Sequence, residues 1–338
     1  MDFGFFDLVE RHGGDLAALY EDRLRLLEYA DGAGFYAYHV AEHHGTPLSM
    51  APSPSLLLAA AAQRTANLRL GPLCYILPLY DPLRLIEEIC MLDQLSRGRL
   101  EVGIGRGVSN IELNFFGVEI AEARERFEET LEVLNLGFSN DQLSYEGKYH
   151  HYDNVPMELR PVQRPHPRYW YPTSSLESAA AVGRGDYETI FQGTSEHVAK
   201  LVQAYNDQSG TGGEARKVGV LRFVFVADTD EAARDRAARA YAAHEANLGH
   251  LSSWQGSGSR SLTRVRNTAM PTSIDEAIAT GWAAVGSPSR VSEQLAGILK
   301  HTGCNYLVFN PLLADVPVDF ALRSVRLFAE EVMPRFAP

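Results

Sequence analysis

The chain has 338 residues, 45% of them hydrophobic and 22% charged, a composition that supports a large buried core and excludes a disordered polymer. Its formal net charge of −12 would repel the phosphates of nucleic acid, and no basic run reverses that balance. The three cysteines lack metal-ligand spacing and lie in apolar segments, and the start MDFGFFDLVER lacks the basic segment and apolar run of a leader, so reduced thiols, a cytoplasmic location and no membrane span are expected.

Residues 3–7 read as a short apolar strand, after which Asp15 opens a helix carrying Leu16, Leu19, Tyr20, Leu24 and Leu27 until Gly32 and Gly34 end it. The same unit recurs: a strand at 35–40 and a helix opened by Ser53-Pro54, a strand at 68–77 and a helix opened by Asp81-Pro82, a strand at 99–105 and a helix at 121–138. Residues 145–155 suggest a small hairpin. Strands at 169–173 and 189–192 are each followed by a helix, 218–227 is a clear β run, and Asp230 opens an Ala/Arg-rich helix. Ser287-Pro288 opens a helix with Val291, Leu295 and Ile298 on one face, 305–310 supplies the eighth strand, and a last helix covers 318–333. Eight such units predict an α/β protein with a parallel sheet closed into a (β/α)8 TIM barrel, as one domain over 1–338. The polar stretch LSSWQGSGSRSLTRVRN within 247–286 is expected to be a mobile insertion before the last strand. There Trp254, Arg260, Arg264 and Arg266 would close as a lid over an anionic ligand.

Chemistry gathers where strands end. Glu42, His43 and His44 leave the second strand at the mouth of such a barrel and are candidate acid–base groups; the alternative is histidines that cap a loop and pair with Glu42. A metal is not expected, because HExxH spacing is absent and His39 lies on a strand. Leu100, Val102 and Ile104 alternate with smaller or polar residues and deliver Arg106 to a glycine-flanked turn, where it would hold a phosphate or simply sit at the surface. Val108 replaces the third glycine of a dinucleotide fingerprint, so a Rossmann reading fails. Pro172, Thr173, Ser174 and Ser175 precede a helix and would bind an anion or cap it, while Arg124 belongs to the charged run EARERFEET.

Taken together, AEHHG at 41–45, the ILPxxxP run at 76–82, LDQLSRGRLEVGIGRG at 92–107, FFG at 115–117, GSPSRV at 286–291 and EEVMP at 330–334 resemble the bacterial luciferase-like monooxygenase family. That resemblance implies a (β/α)8 barrel that binds FMN without a covalent bond and uses its reduced form with O2 on a small organic substrate. A separate flavin reductase would supply the reduced flavin, and a homodimer is expected. By position, His43 matches the family's catalytic histidine, Arg106 and Arg124 its phosphate-binding arginines, and Thr173 and Ser174 its phosphate loop. Leu73 and Cys74 fall at its non-proline cis peptide against the flavin ring. Gly105 stands where luciferase has a reactive cysteine, so light emission is not implied; Thr173 stands where it has a glutamate, so the backbone contact carries over and the side-chain role does not. A deazaflavin-dependent oxidoreductase of the same fold and a non-catalytic flavin-binding subunit are the alternatives.

Overall fold

The computed structural model describes residues 1–185, 187–210, 216–253 and 270–337, the side chains of 251–253 excepted. β1 (Asp2–Asp7) buries Phe3 and Phe5, and Asp15 then starts a helix by accepting the Ala18 N–H at 3.1 Å. α1 (Leu16–Ala33) turns Leu19, Leu26, Leu27 and Ala30 to the core. This strand, cap and helix repeat along the chain as β2 (Ala37–Val40), α2 (Pro54–Arg64), β3 (Arg69–Pro72), its continuation β4 (Tyr75–Ile76), α3 (Pro82–Ser96) and β5 (Val102–Gly105). There follow α4 (Asn110–Phe115), α5 (Ala123–Ser139), β6 (Gln142–Glu146), β7 (His151–Pro156), β8 (Tyr169–Trp170), α6 (Leu176–Arg184), β9 (Thr189–Phe191) and α7 (Ser195–Asn206). The last third holds β10 (Val218–Val226), α8 (Asp230–Ser253), α9 (Ile274–Ala279), β11 (Ala283–Gly286), α10 (Pro288–Thr302), β12 (Tyr306–Phe309) and α11 (Val318–Leu327).

The parallel pairings form a circuit. β12, β1, β2 and β3 are joined in order, a bridge from Leu70 to Leu100 reaches the start of β5, and β5 pairs with β8. Bridges Trp170–Glu188 and Thr173–Phe191 carry the circuit to β9, which pairs with β10, and β10 returns to β12. Eight parallel strands thus enclose an interior filled by Leu73, Trp170, Ile190, Tyr306 and Val308, while the helices pack outside. The expected hairpin is the antiparallel pair β6–β7, which stands apart from this circuit. Among the described residues no helix is long and apolar enough to cross a membrane.

Two expectations change. The third strand does not run unbroken through 68–77, because the Leu73–Cys74 peptide is cis and interrupts it between β3 and β4. Gly103 on the neighbouring strand makes room there: a Cβ would stand 2.3 Å from the Pro72 carbonyl oxygen and 2.9 Å from Leu73 Cα. The insertion is also shorter than 247–286. Residues 247–253 complete α8, anchored where His244 Nδ1 lies 2.7 Å from Glu10 Oε1 and Asn247 donates to Glu10 Oε2 at 2.8 Å. At its other end, Ser273 caps α9, and the apolar run 283–286 pairs with the second half of β10 as a buried strand. Trp254, Arg260, Arg264 and Arg266 lie outside the described residues.

Candidate active site

β2 runs into the AEHHG turn, which places His43 at the carboxyl end of the barrel, where the loops following the strands converge. Its ring does not meet Glu42. Nδ1 lies 3.0 Å from Glu112 Oε1 and 3.3 Å from Oε2, and the same carboxylate accepts the His44 backbone N–H at 2.8 Å. Burial pushes the Glu112 carboxyl up, but the His43 ring and the His44 N–H outweigh burial and hold it below the usual carboxylate range. Only a helix-start spacing, Ser109 followed three residues later by glutamate, marks Glu112 in the sequence, and it points to a cap and not to the histidines. Ser109 does cap α4, accepting the Glu112 N–H at 3.3 Å, yet the carboxylate turns to the histidines.

His44 and Glu42 form a second pair, with Nε2 2.9 Å from Oε1. The other Glu42 oxygen accepts the Ile76 N–H at 3.1 Å and the Tyr80 hydroxyl at 2.8 Å, which ties the turn to the segment after the cis peptide. The His44 ring packs edgewise on Phe116 at 4.6 Å between centroids. The loop-capping alternative therefore describes His44 and not His43.

A cavity of about 640 Å³ opens between these loops. Glu42, His43, Leu73, Cys74, Arg106, Arg124, Thr173 and Ser174 line it, and His44 does not. Arg106 is exposed at its rim and has no ion-pair partner among the described residues. Arg124, near the start of α5, is exposed and donates to Glu128 at 2.9 Å, as the charged run suggested. Across the cavity Ser175 caps α6 by accepting the Ser178 N–H at 3.2 Å. The capping role thus falls to Ser175, and His197 holds the preceding turn through the Ser174 carbonyl at 2.9 Å, leaving Thr173 and Ser174 on the cavity wall.

The remaining wall sets apolar Phe6, Ile76, Phe127, Ile190 and Leu221 beside the acids Glu112, Glu128 and Glu177 and the polar Ser175, Ser178 and Gln192. Tyr171 also lines it, its ring 5.5 Å from Phe127 and its hydroxyl pushed up by burial. At Gly105 a Cβ would lie 2.2 Å from Cys74 Sγ, so the Cys74 thiol, in the break between β3 and β4, fills the space beside that glycine. Burial and the Glu42 charge push that thiol up to about 12, which keeps it protonated at neutral pH. An unpaired guanidinium, two hydroxyl-bearing residues beside a helix start and an apolar part of the wall make a donor set suited to a phosphate joined to a flat ring.

Residues 1–305 match the model of the luciferase-like monooxygenases. The chain belongs to this family. Among relatives of this luciferase-like monooxygenase, the uncharacterized protein y4wF of Sinorhizobium fredii is 38% identical over 98% of this chain and 96% of its own length. The oxygenase component of the flavin-dependent trigonelline monooxygenase of Acinetobacter baylyi is 28% identical over 69% of this chain and 67% of its own. The crystal structure of the monooxygenase RslO1 from Streptomyces bottropensis superposes with a TM-score of 0.88 and 27% identity, covering all of both chains. The expected fold and the expected class, a monooxygenase among the oxidoreductases, hold for the family in which the chain stands.

Proposed function

We propose that this luciferase-like monooxygenase is the oxygenase component of a two-component system, one catalytic domain that binds reduced FMN and uses it with O2 to oxygenate a small organic substrate. The observation that carries the reading is Arg106, a guanidinium that has no ion-pair partner among the described residues and lines the same cavity as the Thr173–Ser174 turn. Arg106, Arg124, Thr173 and Ser174 would hold the phosphate, and Leu73, Ile190 and Leu221 would face the ring and exclude water. When bound, reduced FMN supplies the electrons and the chemistry that activates oxygen. His43 would hold or move a proton at Nε2, the ring nitrogen that Glu112 leaves free. Glu42 and His44 fix the turn that carries it.

A separate flavin reductase would deliver the reduced flavin, as the trigonelline relative's description as an oxygenase component suggests. Exposed Leu56 on α2 and exposed Met91 and Leu95 on α3, two helices that pack together, support a homodimer. A cytoplasmic location agrees with three free cysteines.

Anaerobic titration of the purified protein tests this reading. Reduced FMN should bind at least about tenfold more tightly than reduced riboflavin, which lacks the phosphate. Tighter binding of reduced deazaflavin than of reduced FMN would overturn it in favour of hydride transfer on the same fold. Binding of FMN without any effect on its reaction with O2 would favour a non-catalytic flavin-binding subunit.

A further inference from the structure

Glu112 is buried, its side chain 3% exposed, at the start of the short helix α4. A carboxylate is costly to bury unless its oxygens are bonded, and here the bonds run to two successive residues of another loop. One oxygen takes the His44 backbone N–H at 2.8 Å and lies 3.0 Å from His43 Nδ1, the other lies 3.3 Å from that nitrogen. The carboxylate thus grips both the ring of His43 and the backbone that follows it. A carboxylate held below its usual range accepts and does not donate, so the proton shared with it sits on His43 Nδ1. The other ring nitrogen is then the one with a free lone pair. His43 lines the cavity and has no other hydrogen-bond partner among the described residues.

We propose that Glu112 is a positioning residue, which fixes the His43 ring in the Nδ1–H form and so presents Nε2 to the cavity as a proton acceptor. The inference rests on the reading of His43 as the proton-handling group. Glu112 also lines the cavity, but its oxygens are engaged by His43 and His44, so it works through the imidazole. The loop from Arg106 to Ser109 leads straight into α4, so one short segment carries the proposed phosphate anchor and the carboxylate that orients the histidine. The pair between Glu42 and His44 cannot take over this task, because Glu42 is already bonded to Ile76 and Tyr80.

The first test needs no ligand. Histidine-ring ¹⁵N NMR of the free protein, with the His43 signal assigned through His43→Asn, should show the Nδ1–H form in the wild type. Glu112→Gln should shift the ring toward the Nε2–H form, and Glu112→Asp, which keeps the charge, should restore Nδ1–H. An Nε2–H ring in the wild type, or an unchanged ring in Glu112→Gln, overturns the proposal.

The second test uses reduced FMN and dissolved O2 as probes in stopped-flow. Reoxidation, FMNH⁻ + O2 + H⁺ giving FMN + H2O2, also takes the remaining ring N–H proton off the flavin, a transfer that an acceptor at Nε2 serves. Glu112→Gln should slow this step about tenfold or more with the dissociation constant for reduced FMN within about threefold, and it should add nothing to His43→Ala in the double variant. If His43→Ala itself reoxidises flavin at the wild-type rate, the reading of His43 fails; if His43→Ala is slow while Glu112→Gln is normal, or their effects add, only the role of Glu112 fails.

Discussion

The two ends of the barrel carry the same kinds of residue in opposite states. At the starts of the strands, Glu101 is fully buried and bonded on both oxygens, to the Tyr36 hydroxyl at 2.9 Å and Arg69 on one and to the Trp170 indole at 2.7 Å on the other. Lys217 pairs with Asp2 at 2.6 Å and lies over the Tyr36 ring, while Arg168 pairs with Glu188 at 2.7 Å. At the far ends, Arg106 has no such partner among the described residues, Arg124 keeps only an exposed neighbour, and His43 is tied through one nitrogen. The Glu101, Asp2 and Glu188 carboxylates at the floor are spent on neighbouring side chains, so they specify the barrel. At the mouth Glu42 and Glu112 are bonded too, but to the turn that carries His43, while Arg106 and the His43 Nε2 are left for a ligand to complete.

The sharpest way to break this contrast is to exchange the consequences of mutation. Glu101→Ala strips the buried floor of its acceptor and leaves Arg69 without its carboxylate, so unfolding in urea should show a loss of about 3–5 kcal/mol. Reduced FMN should bind the folded variant within about threefold of the wild type. A stable Glu101→Ala protein that no longer binds flavin would move the floor into the functional site.

His43→Ala should act chiefly on the reaction. Reoxidation of bound reduced FMN by O2 should slow by about 10²-fold, as expected for loss of a placed acid–base group, while flavin affinity stays within about threefold. Stability should fall as well, by about 1–3 kcal/mol, because the buried Glu112 carboxylate then keeps only the His44 N–H of its two partners on that turn. An unchanged rate would place the proton chemistry elsewhere in the cavity.

Arg106→Ala should weaken reduced FMN by about tenfold or more and leave reduced riboflavin nearly unaffected, because only FMN presents a phosphate to the missing guanidinium. Thermal unfolding of the free protein should move little, as is usual for an exposed side chain without partners. Equal losses for both ligands would show that the arginine shapes the loop and does not read the phosphate.

The mouth was far more legible in the sequence than the floor. Arg106 and His43 follow short apolar runs directly, so periodicity alone places them at strand ends, and eight of the nine expected site residues line one cavity. Glu112 was missed because its partners are 68 and 69 residues away, a distance that only the closure of the barrel removes. Tyr36, Glu101 and Trp170 meet for the same reason. The strand at 283–286 is hidden in the sequence by the Ser/Gly-rich stretch before it, although Trp282, Ala283, Ala284 and Val285 are all buried. Local pattern reveals a residue's place along its own unit. It does not reveal which other unit lies across from it.

The smallest effect tests the floor through pH. His39 is fully buried, its Nε2 3.1 Å from the Tyr306 hydroxyl and its Nδ1 without a partner among the described residues. Burial, and secondarily the charge of Arg69, pushes its ring down to about 3. Above the unfolded value of about 6.5 the ring is neutral in both states, and the full stability is present. As pH falls below that, the unfolded chain takes up a proton that the folded barrel refuses. Stability should then drop by up to about 1.4 kcal/mol per pH unit until the folded value is reached, or roughly 1 kcal/mol between pH 7 and pH 5.5. Urea unfolding at these two pH values measures the drop directly. His39→Gln cannot titrate, so whatever its stability at pH 7, it should lose roughly 1 kcal/mol less than the wild type over the same interval. Equal losses in the two proteins would mean that His39 takes up its proton inside the folded barrel, and the floor would then have to contain an acceptor for that charge.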